Sequence, residues 1–163
     1  MPKAILIIGG TRNLGHQLTL ELLRLGHRVT IFNRGKTRDE LPPEVERLHG
    51  DRSDPAQLES ALNGRTFDAV VDNAIYKEDE AHAVARILQG KTNHYLFLSS
   101  GQVYLVREGL SRPFVERDYA GPVMPAPRPE SYDYNEWLYG VDKRRVEDAL
   151  IRAWEKSGFP FPW

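Results

Sequence analysis

Short runs of apolar residues alternate with amphipathic segments along the chain. The first run, Ala4–Ile8, is continuous, aliphatic and as long as a typical strand. Leucines then recur at positions 14, 18, 22 and 25, which is helical spacing, and Gly26 supplies a stop. Four more apolar runs of strand length follow, at residues 28–32, 45–49, 67–71 and 95–98.

Helices are predicted between most of these strands. Asp54 and Pro55 form an N-cap and first-turn pair that opens a helix ending near Leu62. A second helical pattern covers residues 79–88, and a long one runs from about residue 138 to a stop at Gly158. Residues 107–134 hold five prolines and are predicted to be loop, and the residues from Phe159 onward resemble the start of a sixth strand.

Strands that alternate with helices predict a parallel sheet covered by helices on both faces. The expected order is 3-2-1-4-5, a doubly wound, Rossmann-like α/β domain covering residues 1–163, and the chain is expected to be cut short where strand six begins. A length of 163 residues suits one domain.

Composition narrows the function classes. The chain has no cysteine, which excludes disulfides, thiolate catalysis and cysteine-based zinc sites. Its five histidines show no metal-ligand spacing, so no metal is expected. A net charge of −1 counts against a strongly basic nucleic-acid-binding protein. The first apolar run is too short to span a membrane and lacks a signal-peptide pattern, so a cytoplasmic protein is expected.

A glycine-rich turn joins the first strand to the first helix. Glycines at such a turn let backbone N–H groups approach a pyrophosphate, and the helix N-terminus favours negative charge. The spacing fits G-x-x-G-x-x-G in part, because Arg12 stands at the middle glycine; a turn without a ligand is the alternative. The candidate cofactor-binding residues here are Gly9, Thr11, Arg12, Asn13, Leu14 and Gly15.

The end of the second strand discriminates between cofactors. Sites for NAD commonly place an acid there, whereas this chain has Asn33 followed by Arg34. Because Arg34 could bind a 2′-phosphate through its guanidinium fork, with Arg12 reaching the same group, we expect NADP, with NAD as the alternative. Lys36 and Arg38 are better explained as a solvated loop, and the same explanation competes for Arg34.

Polar and small residues follow the third and fourth strands at the same edge. Asp51, next to Arg52, could accept a hydrogen bond from an adenine amino group, or it could cap the loop. Asn73 and Ala74 end the fourth strand, where small residues would let the backbone lie against a cofactor ribose. All four are therefore candidate cofactor-binding residues.

A tyrosine and a lysine have the spacing that places two side chains on the same face of a helix. Tyr139 and Lys143 stand at i and i+4, and Ser100 with Ser99 ends the fifth strand. Tyrosine is a poor base at neutral pH, but a nearby ammonium favours the phenolate. Such a tyrosine can exchange a proton with a substrate oxygen that a serine holds. A surface Tyr–Lys pair is the alternative.

Together these motifs resemble the short-chain dehydrogenase/reductase superfamily, in particular its extended or atypical branch, the NAD-dependent epimerase/dehydratase family. The matching segments are the glycine turn, Asn33-Arg34-Gly35, Gly50-Asp51, residues 98–104 and the Tyr139–Lys143 pair. The resemblance implies that Tyr139 is the acid/base, that Ser100 rather than Ser99 is the catalytic serine, and that Lys143 binds the nicotinamide ribose. Tyr139 and Lys143 thus also contact the cofactor.

The resemblance also carries expectations about substrate and partners. It implies a small-molecule substrate, such as a nucleotide sugar, and a homodimer formed through helices at about 79–89 and 137–156. Family members continue for about as long again, so this sequence is expected to be the cofactor-binding fragment of a larger enzyme, without its substrate domain; a shortened relative is the alternative. The glycine–threonine–arginine turn also resembles a subgroup that includes chloroplast stem-loop-binding proteins. An NADP-sensing or RNA-binding protein is therefore the second hypothesis.

Overall fold

The computed structural model describes residues 1–36 and 38–161. Five strands form one all-parallel sheet in the order β3-β2-β1-β4-β5. The order and direction confirm the predicted doubly wound sheet. The elements, in chain order, are β1 Ala4–Ile8, α1 Asn13–Arg24, β2 Arg28–Asn33, β3 Glu46–His49, α2 Pro55–Ala61, β4 Ala69–Asp72, α3 Glu78–Leu88, β5 Tyr95–Phe97, α4 Gln102–Leu105, a 3₁₀-helix Glu116–Tyr119, and α5 Tyr132–Ser157.

Each face of the sheet has its own core. One face of β1, β4 and β5 packs against α2, α3 and α5, and Leu6, Val70 and Leu150 are fully buried there. The opposite face of β1 and β2 packs under α1, with Ile7 and Ile31 fully buried. The two cores fix the sheet from both sides and leave its carboxyl edge open, which is where ligands bind in such sheets.

The first helix covers the sheet with only part of the predicted leucine stripe, since Leu18 and Leu22 pack against the core and are partly buried. Leu14 and Leu25 are 54% and 55% exposed, whereas Gly15 and Thr19 are buried. The Thr19 hydroxyl donates to the carbonyl oxygen of Gly15 at 2.8 Å. Small residues on the inner face let α1 lie close to the sheet, and leucine spacing alone does not identify them.

The structure also differs from the prediction in the starts of two elements and in the content of one loop. The fourth strand begins at Ala69 rather than residue 67. The long helix begins at Tyr132, just after the last proline of the loop, and ends at Gly158, whose φ of +66° suits glycine. The loop predicted at 107–134 contains the 3₁₀-helix Glu116–Tyr119.

The segment after α5 returns to the edge of the sheet at β5 but does not form a regular strand there. Phe159 and Phe161 are buried, and the Tyr95 N–H donates to the carbonyl oxygen of Pro160 at 2.7 Å. Within the described residues, 159–161 is therefore an irregular segment beside β5. The rest of the predicted sixth strand, residues 162 and 163, lies outside the described residues. Among the described helices, none is both long and apolar enough to cross a membrane.

Candidate cofactor cavity and Ser-Tyr-Lys site

A cavity of about 590 Å³ opens at the carboxyl edge of the sheet. It is bounded by the segments that follow β1, β2, β3 and β4. The structure brings all twelve candidates from these segments to this one cavity, namely Gly9, Thr11, Arg12, Asn13, Leu14, Gly15, Asn33, Arg34, Asp51, Arg52, Asn73 and Ala74.

The glycine turn at the centre of the cavity is packed too closely for side chains. Gly9 has a φ of +87°, which favours glycine, and its N–H donates to the carbonyl oxygen of Phe32. A Cβ on Gly15 would lie 2.5 Å from the carbonyl oxygen of Gly9 and 3.0 Å from the Asn73 amide nitrogen. The turn and the start of α1 are therefore held against the end of β4.

The first turn of α1 carries no compensating negative charge. Its N-cap is Arg12, no side chain caps the helix, and no acidic residue lies in its first turn. The N-terminal end of a helix has a partial positive charge and free N–H groups. This end of the cavity is therefore suited to an anion.

One end of the cavity lies between the ends of β2 and β3. Arg34 and Lys36 are exposed there, and their positive charges contribute to lowering the pKa of Asp51. The larger contributions to that pKa come from Ser53, whose hydroxyl and backbone N–H donate to Asp51 Oδ1 at 2.7 and 3.0 Å. This contact matches the loop-cap interpretation of Asp51. Asn33 uses its Oδ1 to accept the Gly35 N–H.

At the end of β4, a fully buried carboxylate connects three segments. Asp72 Oδ2 accepts from Arg52 Nη2 at 2.6 Å and from the Tyr95 hydroxyl at 2.8 Å. Its Oδ1 accepts the Ala74 N–H at 2.9 Å. Burial alone disfavours the charge on Arg52, but Asp72 and the nearby Glu80 raise the pKa of the guanidinium. Burial, together with the Asp72 charge, raises the pKa of Tyr95 well above its ordinary value.

The other end of the cavity adjoins the Tyr–Lys pair. Lys143 is 2% exposed, and its Nζ donates to the carbonyl oxygens of Ile75 at 2.9 Å and Leu98 at 3.1 Å. The same Nζ lies 4.8 Å from the ring centroid of Tyr76 and 5.8 Å from that of Tyr139. Burial lowers the pKa of Lys143, and the charge of Asp72 opposes that effect.

The three predicted catalytic residues lie beside the cavity and do not line it. Tyr139 is 37% exposed, and its ring centroid is 6.4 Å from that of Tyr76, which does line it. Ser100 Oγ accepts the Gln102 N–H at 3.2 Å, and within the described ranges Ser100 makes no hydrogen bond to Tyr139. The structure therefore brings Tyr139 and Lys143 together, whereas Ser100 lies on the segment between β5 and α4.

Several cavity residues were missed by the sequence analysis. Tyr76 and Leu98 follow the ends of β4 and β5, so their place after a strand was a usable signal. Glu80, in the first turn of α3, does not directly follow a strand and therefore had no such signal. Lys36, interpreted as a solvated loop residue, lines the rim of the cavity, whereas Arg38 does not. Among the described residues, no group of three His, Cys, Asp or Glu side chains is placed to hold a metal ion.

Comparison with known proteins places the chain in a family. A family model described as the NAD dependent epimerase/dehydratase family matches residues 5–162, nearly the entire chain. The chain belongs to the NAD dependent epimerase/dehydratase family. This confirms the resemblance drawn from the glycine turn, the strand ends and the Tyr139–Lys143 pair.

Individual relatives of this epimerase/dehydratase family chain are much longer than it is. The Arabidopsis thaliana chloroplast stem-loop binding protein of 41 kDa b is 35% identical over 133 residues, covering 74% of this chain and 34% of the relative. The 2′-dehydrokanamycin reductase of Streptomyces kanamyceticus is 25% identical over 150 residues, covering 92% of this chain and 38% of the relative. The chain thus spans little more than a third of either curated relative.

Solved structures show the same fold. The Bordetella bronchiseptica enzyme WbmG, solved in complex with NAD and UDP, matches with a TM-score of 0.71 at 21% identity. The match covers 99% of this chain and 52% of WbmG. At that identity the likeness establishes the Rossmann-like fold and nothing finer.

The close packing at Gly15 gives a testable prediction. Alanine normally stabilises a helix relative to glycine, but here its methyl carbon would clash with the Gly9 carbonyl oxygen. We expect Gly15→Ala to lower the unfolding free energy by about 1–3 kcal/mol, the usual cost of overpacking, as measured by urea denaturation. Gly101→Ala is the matched control, since nothing lies within 4 Å of the position that its methyl carbon would take. Equal stability of the two variants would contradict the packing argument.

The buried carboxylate gives a second prediction. Asp72→Asn keeps the side-chain shape but leaves the Arg52 guanidinium buried without its closest negative partner. We expect the unfolding free energy to fall by about 3 kcal/mol, as is typical when one member of a buried ion pair is removed. Glu59→Gln, which breaks the exposed pair with Arg86, should leave stability near wild type. A comparably small effect of Asp72→Asn would refute the role assigned to Asp72.

Proposed function

We propose that this chain is the dinucleotide-binding part of an NADP-dependent enzyme, an oxidoreductase, epimerase or dehydratase that uses Ser100, Tyr139 and Lys143. One observation carries the proposal. A single cavity joins the glycine turn at its centre to cations at one end and to the neighbourhood of a Tyr–Lys pair at the other. This is the arrangement that a pyrophosphate flanked by two nucleosides requires.

The residues at the cavity fit a dinucleotide. The N-terminal end of α1 and the glycine turn offer backbone N–H groups and room for a pyrophosphate. Asn73 lines the same region, and both polar atoms of its amide are buried without a hydrogen-bond partner among the described residues. A bound dinucleotide would supply the acceptor and donor that this amide lacks.

Preference for NADP is supported by the charges beside β2. Arg34 and Lys36 are exposed at the rim, and the strand ends in Asn33 rather than an acid. A 2′-phosphate carries negative charge and suits a guanidinium fork. Arg12 lines the same cavity. The Asp51 carboxylate already accepts from Ser53 and would accept from an adenine amino group with its remaining acceptor capacity.

The chemistry of the site follows from three side chains. The nicotinamide cofactor, when bound, supplies or accepts the hydride. The Tyr139 phenol would give a proton to a substrate oxygen or take one from it, and Lys143 Nζ lies 5.8 Å from the centroid of its ring. Lys143 has three N–H donors, and its described carbonyl contacts use two of them. The third would bind a ribose hydroxyl.

Ser100 is suited to hold the reacting oxygen. Its Oγ accepts the Gln102 N–H, so its own O–H is available to donate to a substrate hydroxyl or carbonyl. We propose a nucleotide sugar as the substrate class, supported by family membership and by the UDP bound in WbmG.

A homodimer is also part of the proposal. The predicted dimer helices, at about 79–89 and 137–156, correspond to α3 and the later part of α5, which pack against each other within the chain. Trp154 on α5 is 44% exposed, so a large apolar side chain remains accessible there to a second copy of the chain.

The second candidate function is RNA binding or NADP sensing without catalysis. The specific observation that favours it is the 35% identity to the chloroplast stem-loop binding protein. The net charge of −1 counts against strong electrostatic attraction to RNA.

Substitution at Arg34 tests the cofactor preference. Removal of a charge-assisted bond to the 2′-phosphate should weaken NADPH binding about tenfold or more, as measured by calorimetry, and leave NADH binding unchanged. Arg38→Ala is the control, because Arg38 does not line the cavity. If wild type binds NADH as tightly as NADPH, or if Arg34→Ala binds NADPH normally, the NADP assignment is wrong.

Substitution at Tyr139 separates the two candidate functions. An enzyme should lose turnover of nucleotide sugars by about 100-fold or more in Tyr139→Phe and keep its NADPH affinity, because the ring remains and only the proton-transfer group is lost. Tyr132→Phe, on the same helix and 81% exposed, serves as the control. Unchanged turnover would reject Tyr139 as the acid/base. Tight binding of stem-loop RNA by wild type and Tyr139→Phe alike, with no turnover by either, would favour the second candidate function.

A further inference from the structure

Aromatic rings from three segments surround the ammonium group of Lys143. Its Nζ lies 4.6 Å from the ring centroid of Phe97, 4.8 Å from that of Tyr76 and 5.8 Å from that of Tyr139. At such distances a cation is attracted to the face of an aromatic ring. Because Lys143 is only 2% exposed, these rings and two carbonyl oxygens take the place of water around its charge.

Burial makes the charged form of this lysine costly. It lowers the pKa of Lys143, and the nearby Arg52 guanidinium acts in the same direction. The carboxylates of Asp72, Glu147 and Glu80 act in the opposite direction. The described hydrogen-bond acceptors of Nζ are neutral carbonyl oxygens, so a further contact that favours a positive charge matters more here than at the surface.

Of the three rings, that of Tyr76 is the one that also lines the cavity. Tyr76 lies between β4 and α3, where Glu80 Oε2 accepts its backbone N–H at 2.8 Å. Its side chain is half exposed, whereas Lys143 is buried and is not among the described residues that line the cavity. The Tyr76 ring therefore lies at the boundary between the cavity and the ammonium group.

The charge of Lys143 also determines how many hydrogen bonds it can donate. The ammonium form has three N–H donors, and loss of a proton leaves two. The carbonyl oxygens of Ile75 and Leu98 accept two. Only the charged form therefore has a donor left for a ribose hydroxyl of the proposed cofactor.

We propose that Tyr76 is a positioning residue that keeps Lys143 charged and in place through a cation–π contact, and so preserves its third donor for the cofactor. The part of this inference that concerns the cofactor rests on the proposed function, whereas the contact itself does not. Phe97 makes a similar contact, but it lies in β5 and packs against the core. The half-exposed Tyr76 is therefore the ring that can be replaced without disturbing the core.

An NMR titration of protein carrying ¹³Cε-labelled lysine measures the protonation of Lys143 without cofactor or catalysis. The Lys143 signal is identified as the one missing from Lys143→Arg. Tyr76→Phe keeps the ring and removes the phenol, whereas Tyr76→Leu removes the ring. We expect the midpoint of the Lys143 signal to be about 0.5–1 pH unit lower in Tyr76→Leu than in Tyr76→Phe, because the cation–π contact is lost. Tyr132→Leu, which removes an exposed tyrosine from α5, should titrate as wild type.

Ligand binding tests the consequence for the site. NADPH and adenosine 2′,5′-bisphosphate, which lacks the nicotinamide ribose, are titrated calorimetrically over the same pH range. We expect the affinity for NADPH to fall about tenfold or more as pH rises through the Lys143 midpoint, because the third donor is lost. This fall should occur at lower pH in Tyr76→Leu than in Tyr76→Phe, and the bisphosphate should show the same pH profile in both variants.

The outcomes separate this inference from the proposed function. Equal Lys143 midpoints in Tyr76→Phe and Tyr76→Leu overturn the role of Tyr76 while the dinucleotide function stands. A shifted midpoint with identical NADPH profiles overturns the link from the lysine charge to the cofactor. Absence of wild-type binding to both NADPH and the bisphosphate overturns the proposed function, and the Lys143 midpoints then still decide whether the cation–π contact exists.

Discussion

The buried carboxylate of Asp72 is the interaction on which the site most depends. It ends β4 with no exposed surface and accepts three hydrogen bonds through its side chain, from Arg52, Tyr95 and Ala74. Its main-chain carbonyl accepts a fourth, from the Leu98 N–H. A charge at this depth is tolerated only when it is paired and fully hydrogen-bonded. The arrangement therefore ties together the segments after β3, β4 and β5.

The segments that Asp72 fixes also hold the ammonium group of Lys143. Its ammonium is held by the carbonyls of Ile75 and Leu98. Those carbonyls belong to the two segments that Asp72 fixes, one through the Ala74 N–H and the other through the Leu98 N–H. Hydrogen bonds thus link Arg52 in the cavity to Lys143 on α5 through two intervening residues, Asp72 and Leu98. The cavity wall at Arg52 and the proposed catalytic lysine therefore share one hydrogen-bonded support.

Much of this site was predictable because the carboxyl ends of parallel strands all lie at the same edge of the sheet. Residues 9–15, 33–34, 51–52 and 73–74 all follow strands, so strand assignment alone was sufficient to bring them together. The Tyr139–Lys143 pair was predictable from helix periodicity. The network of Arg52, Asp72 and Tyr95 was not, because its partners are 20 and 23 residues apart and each sits in an ordinary strand or loop context.

Other misses have similar physical causes. The buried face of α1 depends on Gly15 and Thr19, whose small size matters only against the sheet. The start of α5 at Tyr132 lay within a loop predicted from its prolines. The surroundings of Lys143 are supplied by Tyr76 and Phe97 from two other segments, and helix periodicity contains no information about them.

The central claim is that the cavity at the carboxyl edge binds a dinucleotide. The most direct measurement is an NMR titration of the ¹⁵N-labelled protein with NADPH, following every backbone amide. If the cavity binds the cofactor, we expect the shifts to concentrate at residues 9–15, 33–36, 51–53 and 73–76. Absence of saturable shifts would contradict it. So would shifts confined to the separate groove between residues 121–126 and α5, which is lined by Met124, Trp137 and Arg145.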